Sequence, residues 1–150
     1  LKPMIHPVVF EQFQKMQKDA LKDNVNIIID SGYRSYHYQK EVYEKISQEK
    51  GIEYAEQFVA LPGCSEHQTG LAVDFAAIRN GKYSDDIKEN DKESIWMKEN
   101  AYRYGFILRY PKEKENITGY AFEPWHYRYV GIPLSQYLYQ NNLTLEEYYD

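Results

Sequence analysis

An α+β fold, folded as one domain over residues 1–150, is predicted by three observations. Segments whose apolar residues recur at steps of three and four alternate with a few short runs rich in β-branched or aromatic residues. No internal repeat or low-complexity stretch imposes a different architecture. The 150 residues, 43% of them hydrophobic, suffice for one core and are too few for two.

The elements follow from local pattern. After Pro7, the residues Val9, Phe13, Met16, Ala20 and Leu21 keep helical spacing, so a first helix should run to Asp23-Asn24. Val25-Asn26-Ile27-Ile28-Ile29 is short and β-branched and suits a buried strand. It runs into Asp30-Ser31-Gly32-Tyr33-Arg34-Ser35, where Ser35 is the expected N-cap of a second helix. That helix carries Tyr38, Val42 and Ile46 on one face and stops at Gly51. A short helix is expected over residues 53–60, broken by Leu61-Pro62-Gly63.

In the strand Leu71-Ala72-Val73-Asp74-Phe75, period-two geometry sends Leu71 and Val73 to the core and Asp74 to a cleft. Residues 80–91 are polar, open with the turn signal Asn80-Gly81, and read as a surface excursion. Ser94 is the expected cap of a helix through Trp96 and Ala101 that stops at Gly105, followed by a strand at 106–110 that Pro111 ends. Residues 112–116 read as a hairpin tip and 127–130 as the returning strand. A helical segment follows Pro133, and Thr144 with Glu147 has capping-box spacing.

Composition narrows the function. Twenty-three acidic against eighteen basic residues give a net charge of −5, with no basic patch to neutralise phosphates, so nucleic-acid binding is disfavoured. No apolar run is long enough to span a membrane, and Leu1-Lys2-Pro3-Met4 does not resemble a signal peptide. The missing initiator Met suggests a trimmed chain, whose omitted N-terminal segment could hold a membrane anchor. A single cysteine, Cys64, cannot form an internal disulfide. Sixteen tyrosines either line a groove or pack at the core margin.

The chemistry is concentrated in two segments. Ser65-Glu66-His67-Gln68-Thr69-Gly70-Leu71-Ala72-Val73-Asp74 and Glu123-Pro124-Trp125-His126 together supply two imidazoles and a carboxylate. His67, Asp74 and His126 could hold one Zn2+ with a coordination position open, the pattern of catalytic sites; closed structural sites take four ligands and favour Cys. Pro124 restricts Glu123 to extended conformations, which could set its carboxylate beside the metal to handle protons; otherwise Glu123 is an exposed loop acid. Arg34, in the loop after the first strand, suits a carboxylate or an oxyanion, or else a surface ion pair. Gln39 lies about one turn into the next helix and could point the same way. His6 and His37 have no partner at useful spacing and are assigned to structure or solvent.

Ser31-Gly32-Tyr33-Arg34-Ser35 with Gln39, Ser65 to Asp74, and Glu123 to His126 together resemble the VanY-type D-alanyl-D-alanine carboxypeptidases, within the zinc metallopeptidase superfamily shared with lysostaphin and the hedgehog domain. The resemblance covers roughly residues 25–131. It implies a small antiparallel sheet with helices packed on it and a zinc site in a cleft on the sheet. It further implies that His67, Asp74 and His126 bind zinc, Glu123 is the catalytic base, and Arg34 assists by stabilising the oxyanion. Arg34, Gln39, Ser65 and Tyr110 would contact the substrate's C-terminal residue.

The implied activity is removal of a C-terminal D-alanine from peptidoglycan stem peptides, D,D-specific on the pentapeptide, by a monomer acting outside the cytoplasmic membrane. The same motifs are compatible with an L,D-carboxypeptidase acting on the tetrapeptide or a D,D-endopeptidase. From another class, they are compatible with a non-catalytic zinc-containing wall-binding module.

Overall fold

The structure, a computed structural model, describes residues 4–150. Residues 1–3, part of the stretch read above as unlike a signal peptide, lie outside the described residues. The elements are α1 (Pro7–Lys22), β1 (Ile27–Ser31), α2 (Tyr36–Lys50), α3 (Ile52–Phe58), β2 (Ala72–Arg79), β3 (Lys82–Ser84) and α4 (Lys92–Asn100). There follow β4 (Phe106–Leu108), α5 (Glu115–Thr118), β5 (His126–Tyr129), α6 (Leu134–Gln140) and α7 (Leu145–Tyr149). The strands form one antiparallel sheet in the order β1-β2-β5-β4, with β3 paired to β2, and helices pack on it. This is the expected α+β class with a small antiparallel sheet.

Helical spacing explains the principal core. Val9, Phe13, Met16 and Ala20 lie on one buried stripe of α1. They join Ile27, Val73, Phe75, Ala77, Phe106 and Tyr127 from the strands and Trp96 and Met97 from α4. Each large side chain withdrawn from water contributes about 1.5–3 kcal/mol. Val73, Phe75 and Ala77 alternate along β2 toward this core, so Ala72, Asp74 and Ala76 face the other side of the sheet. On that second side Ile107 packs with Leu138 and Leu145 of α6 and α7, closing the β4 end.

Register then places the polar pairs of the second face. Asp74 lies directly opposite His126 across β2 and β5, and Ala72 lies opposite Arg128. Directly opposed residues in a sheet share a face and have close Cβ atoms, so Asp74 and His126 meet without help from a loop.

Several boundaries depart from expectation. The first strand starts at Ile27, two residues late, although Val25 is buried. On α2, Tyr38 is exposed and Gln39 takes the buried place, because that helix faces a cleft rather than the core. The cap of α4 is Asp91, whose Oδ2 accepts from Lys88 N at 2.8 Å; Ser94 sits buried inside the helix. Residues 80–91 include β3, and residues 112–116 form a 3-10 turn running into α5 rather than a plain hairpin tip. Ser35 does cap α2 through Tyr38 N, and the Thr144–Glu147 capping box is formed. His6 caps α1, its Nδ1 accepting from Val8 N.

Candidate active site

His67, Asp74 and His126 each present one donor atom, and these atoms all lie within 4.8 Å of one another. His67 comes from a 3-10 turn, Glu66–Thr69, capped by Ser65 and closed by Gly70 in the left-handed conformation. Arg34 N donates to His67 O, and His6 N donates to Gly70 O, which hold that turn against the rest of the chain. His67 Nε2 is 3.3 Å from Asp74 Oδ1, and His126 Nδ1 is 2.7 Å from the same oxygen. The remaining ring nitrogens are engaged away from this point: His67 Nδ1 with Gly32 O at 2.7 Å and His126 Nε2 with Glu66 Oε1 at 2.7 Å.

This donor set fits zinc. Two imidazoles with one carboxylate leave the ion a net positive charge and an open position, and an oxygen on the far nitrogen of each imidazole is the usual way such rings are oriented. The electrostatics of the three groups are strongly coupled. Burial opposes ionisation of Asp74, but His67 and His126 outweigh it and hold the carboxyl well below its ordinary range. Burial likewise opposes charge on His126, and its hydrogen bonds to Asp74 and Glu66 nonetheless push it up to about 10.

Glu123, Arg34, Gln39, Ser65 and Tyr110 line the same cleft of about 220 Å³. Glu123 is buried, and its backbone is clamped on both sides: its N donates to Tyr110 O, and its O accepts from His126 N. Burial is the largest influence on its carboxyl. His126 and Arg34 pull the pKa down, Asp74 and Glu66 push it up, and it stands at about 8. A group poised near neutrality beside a metal site is suited to accept and return a proton.

Arg34 spends three of its five N–H groups inside the protein: Nε on Ser31 Oγ at 2.9 Å, Nη1 on Gln39 Oε1 at 3.4 Å and Nη2 on Asp74 Oδ2 at 2.8 Å. Among the described residues the other two have no partner. Gln39 stands behind Arg34 and also donates from Nε2 to Ala60 O at 2.8 Å. Ser65 Oγ accepts from His67 N. Tyr110 stacks on His126 with ring centroids 5.0 Å apart and planes 9° apart. Each of the residues picked out from the sequence thus reaches the cleft, although Gln39 serves Arg34 through a direct bond.

Sequence reasoning missed Glu66, whose carboxylate also meets Arg109 and Arg128. His126, Arg109 and Arg128 hold its pKa down to about 2 against the effect of burial. The missed cleft wall includes Val42, Ile46, Tyr54 and Phe58 from α2 and α3, and Tyr120. The helical step from Val42 to Ile46 signalled an apolar face, though not what it covers.

A point where three side chains could hold a metal, with a buried carboxyl beside it on one face of a small antiparallel sheet, is the arrangement of a catalytic metal centre. The chain belongs to the VanY D-alanyl-D-alanine carboxypeptidase family, whose model matches residues 2–132. It is 46% identical over 139 residues to a D-alanyl-D-alanine carboxypeptidase of Enterococcus faecalis, covering 86% of this chain and 49% of that protein. The chain therefore spans about half the length of that relative.

Among solved structures, it matches a variant of the D,D-pentapeptidase VanY from a VanB-type vancomycin resistance cassette, in complex with Zn(II). The TM-score is 0.87 at 39% identity, covering 97% of this chain and 84% of that one. It also matches the LD-carboxypeptidase LdcB with a TM-score of 0.85 at 43% identity, covering 97% and 68%. Zinc is the cofactor that both the ligand set and the zinc-bound relative support. Among the described residues no helix is long and apolar enough to cross a membrane.

Proposed function

We propose that this chain is a zinc-dependent carboxypeptidase that removes the C-terminal D-alanine from peptidoglycan stem peptides, acting on the pentapeptide with D,D specificity. The observation that carries the reading is the meeting, in one cleft, of the His67–Asp74–His126 trio, the near-neutral Glu123 carboxyl and an Arg34 with two uncommitted N–H groups. Zinc in the trio would supply positive charge that polarises a carbonyl and acidifies water.

The other roles belong to the chain's own side chains. Glu123 in its ionised form takes the proton of the attacking water and returns it to the leaving amine. Arg34 offers its free N–H groups to the terminal carboxylate or to the oxyanion, and a carboxylate held there restricts cleavage to the last peptide bond. Gln39 and Ser31 keep the guanidinium oriented. Ser65 and Tyr110 complete the wall of the pocket for the C-terminal residue. Because stem peptides lie outside the cytoplasmic membrane, the enzyme would work in the cell envelope or beyond it, as a monomer.

A second reading is supported by the likeness to LdcB: an L,D-carboxypeptidase that trims the tetrapeptide with the same ligands. Mass spectrometry of D-alanine release from matched pentapeptide and tetrapeptide stems, with and without a chelator, separates the two. Chelator-sensitive release from the pentapeptide alone is the expected result. Release from the tetrapeptide moves the chain to the L,D class. Release from neither, with zinc bound, overturns both readings in favour of an endopeptidase or a wall-binding module.

A further inference from the structure

We propose that Glu66 is a positioning residue for the metal centre: it selects the His126 tautomer whose Nδ1 is free to bind zinc. The inference rests on the zinc site and is independent of which stem peptide is cut.

His126 Nδ1 is the nitrogen turned toward Asp74 and His67, so it is the one able to serve as a ligand. A ligating nitrogen carries no proton, and a neutral imidazole then bears its proton on Nε2. Glu66 Oε1 lies 2.7 Å from that Nε2 and, as a carboxylate, can only accept. Its other oxygen is occupied: Oε2 accepts from Arg109 Nε at 3.1 Å and from Arg128 Nη1 at 3.0 Å. The carboxylate therefore cannot swing away, and both its oxygens are used as acceptors. Arg109 is fixed in turn by Glu146 of α7, with Nη1 to Oε2 at 2.8 Å and Nη2 to Oε1 at 2.6 Å. A continuous line of charged hydrogen bonds thus runs from the last helix, through Arg109 and Glu66, to the imidazole of a metal ligand.

The Glu66→Gln substitution tests this with almost no change of shape. Two guanidinium donors on the Oε2 side demand the amide oxygen there, which turns the amide NH2 toward His126 Nε2. Nε2 must then accept, the ring proton moves to Nδ1, and the ligating nitrogen is blocked. Loss of such a partner typically lowers metal affinity about 10–100-fold.

The experiment is zinc affinity by competition with a chromophoric chelator, measured with the thermal stability of the chelated protein. The comparison variant is Arg128→Met, which removes one of the Arg bonds to Glu66 but leaves the acceptor on Nε2. Glu66→Gln should weaken zinc by the stated factor, while Arg128→Met changes it less than threefold at a comparable loss of stability. Equal effects of the two variants on zinc would overturn the proposal and reduce Glu66 to a structural ion-pair partner. Should Glu66→Gln fail to fold, nitrogen NMR of the zinc-loaded wild-type protein decides. His126 with metal on Nδ1 and its proton on Nε2 is expected, and metal on Nε2 overturns the assignment.

Discussion

Arg34 Nη2 donates to Asp74 Oδ2 at 2.8 Å, to the carboxylate oxygen that the two histidines do not share. The bond leaves Oδ1 turned to the point the two histidines share and ties the cleft-lining guanidinium to a carboxylate of the candidate metal trio. Lysine in place of Arg34 keeps the charge but cannot bond Ser31, Gln39 and Asp74 together while presenting two further donors. We expect Arg34→Lys to lower kcat/KM for the preferred stem peptide about 10²-fold, the scale of losing one oriented donor at a reacting centre. Steady-state kinetics, with the zinc content of the same sample, would check this; an unchanged kcat/KM would remove Arg34 from the site.

Glu123 stands outside the ligand trio while lining the same cleft. Glu123→Gln should therefore retain zinc while losing about 10²–10⁴-fold in kcat, the usual contribution of a positioned acid–base group. Parallel assays of D-alanine release and metal content distinguish this from loss of the ion. A variant active at the wild-type rate would show that the proton takes another route.

Zinc binding should release protons, and the sign follows from two groups. In the metal-free protein at pH 7, His126 is protonated, its pKa raised to about 10, and Glu123 is mostly protonated, its pKa raised to about 8. A ligating Nδ1 must shed its proton, and a nearby dication favours ionised Glu123. Between one and two protons should leave per zinc at pH 7, so affinity should rise roughly tenfold to a hundredfold per pH unit between pH 6 and 8. Calorimetry in buffers of different ionisation enthalpy counts these protons directly. A count of zero would contradict ligation by His126.

Gly105 carries a φ of +94° between the Ala101–Tyr104 turn and β4, and a Cβ there would come 2.6 Å from Tyr129 Cε2 and 3.2 Å from Gly131 Cα. Alanine would meet left-handed strain of roughly 1–2 kcal/mol as well as this crowding. Gly105→Ala should destabilise the protein by about 2 kcal/mol or more, a fall in Tm of roughly 4–8 °C for a chain of this size. Thermal denaturation of the chelated protein would measure it.

Features carried by neighbours in the chain were legible in the sequence, and those made by distant ones were not. The buried stripe of α1, the Ser35 cap, the Thr144 box and the opposite facing of Val73 and Asp74 all follow from spacing of a few residues. The trio and Glu123 were legible because their types form a recognisable set in two short segments. Glu66 was not, since its partners Arg109, His126 and Arg128 lie 43, 60 and 62 residues away and nothing near Glu66 marks it as their meeting point. Ser94 misled because the helix begins three residues earlier at Asp91, whose carboxylate makes no capping bond and is held instead by Lys88 N and Arg79. β3 escaped because its three residues, Lys82 to Ser84, hold to the sheet through distant partners, by pairing with β2 and through the Tyr83 hydroxyl on Asp30.

The direct opposition of Asp74 and His126 across β2 and β5 makes the centre an all-or-none construction. A slip of one residue between these strands would turn Val73 or Tyr127 into the cleft and send a ligand into the apolar core, so no half-assembled version of the site is compatible with a packed sheet. The same constraint confers freedom elsewhere. The exposed turns between β3 and Glu123 can change in length or surface without disturbing the ligands, provided the α4 core residues, β4 and the Arg109–Tyr110 pair beside Glu66 and His126 are retained. Substrate preference can therefore diverge through loops while the metal chemistry is inherited intact with the ladder of backbone hydrogen bonds.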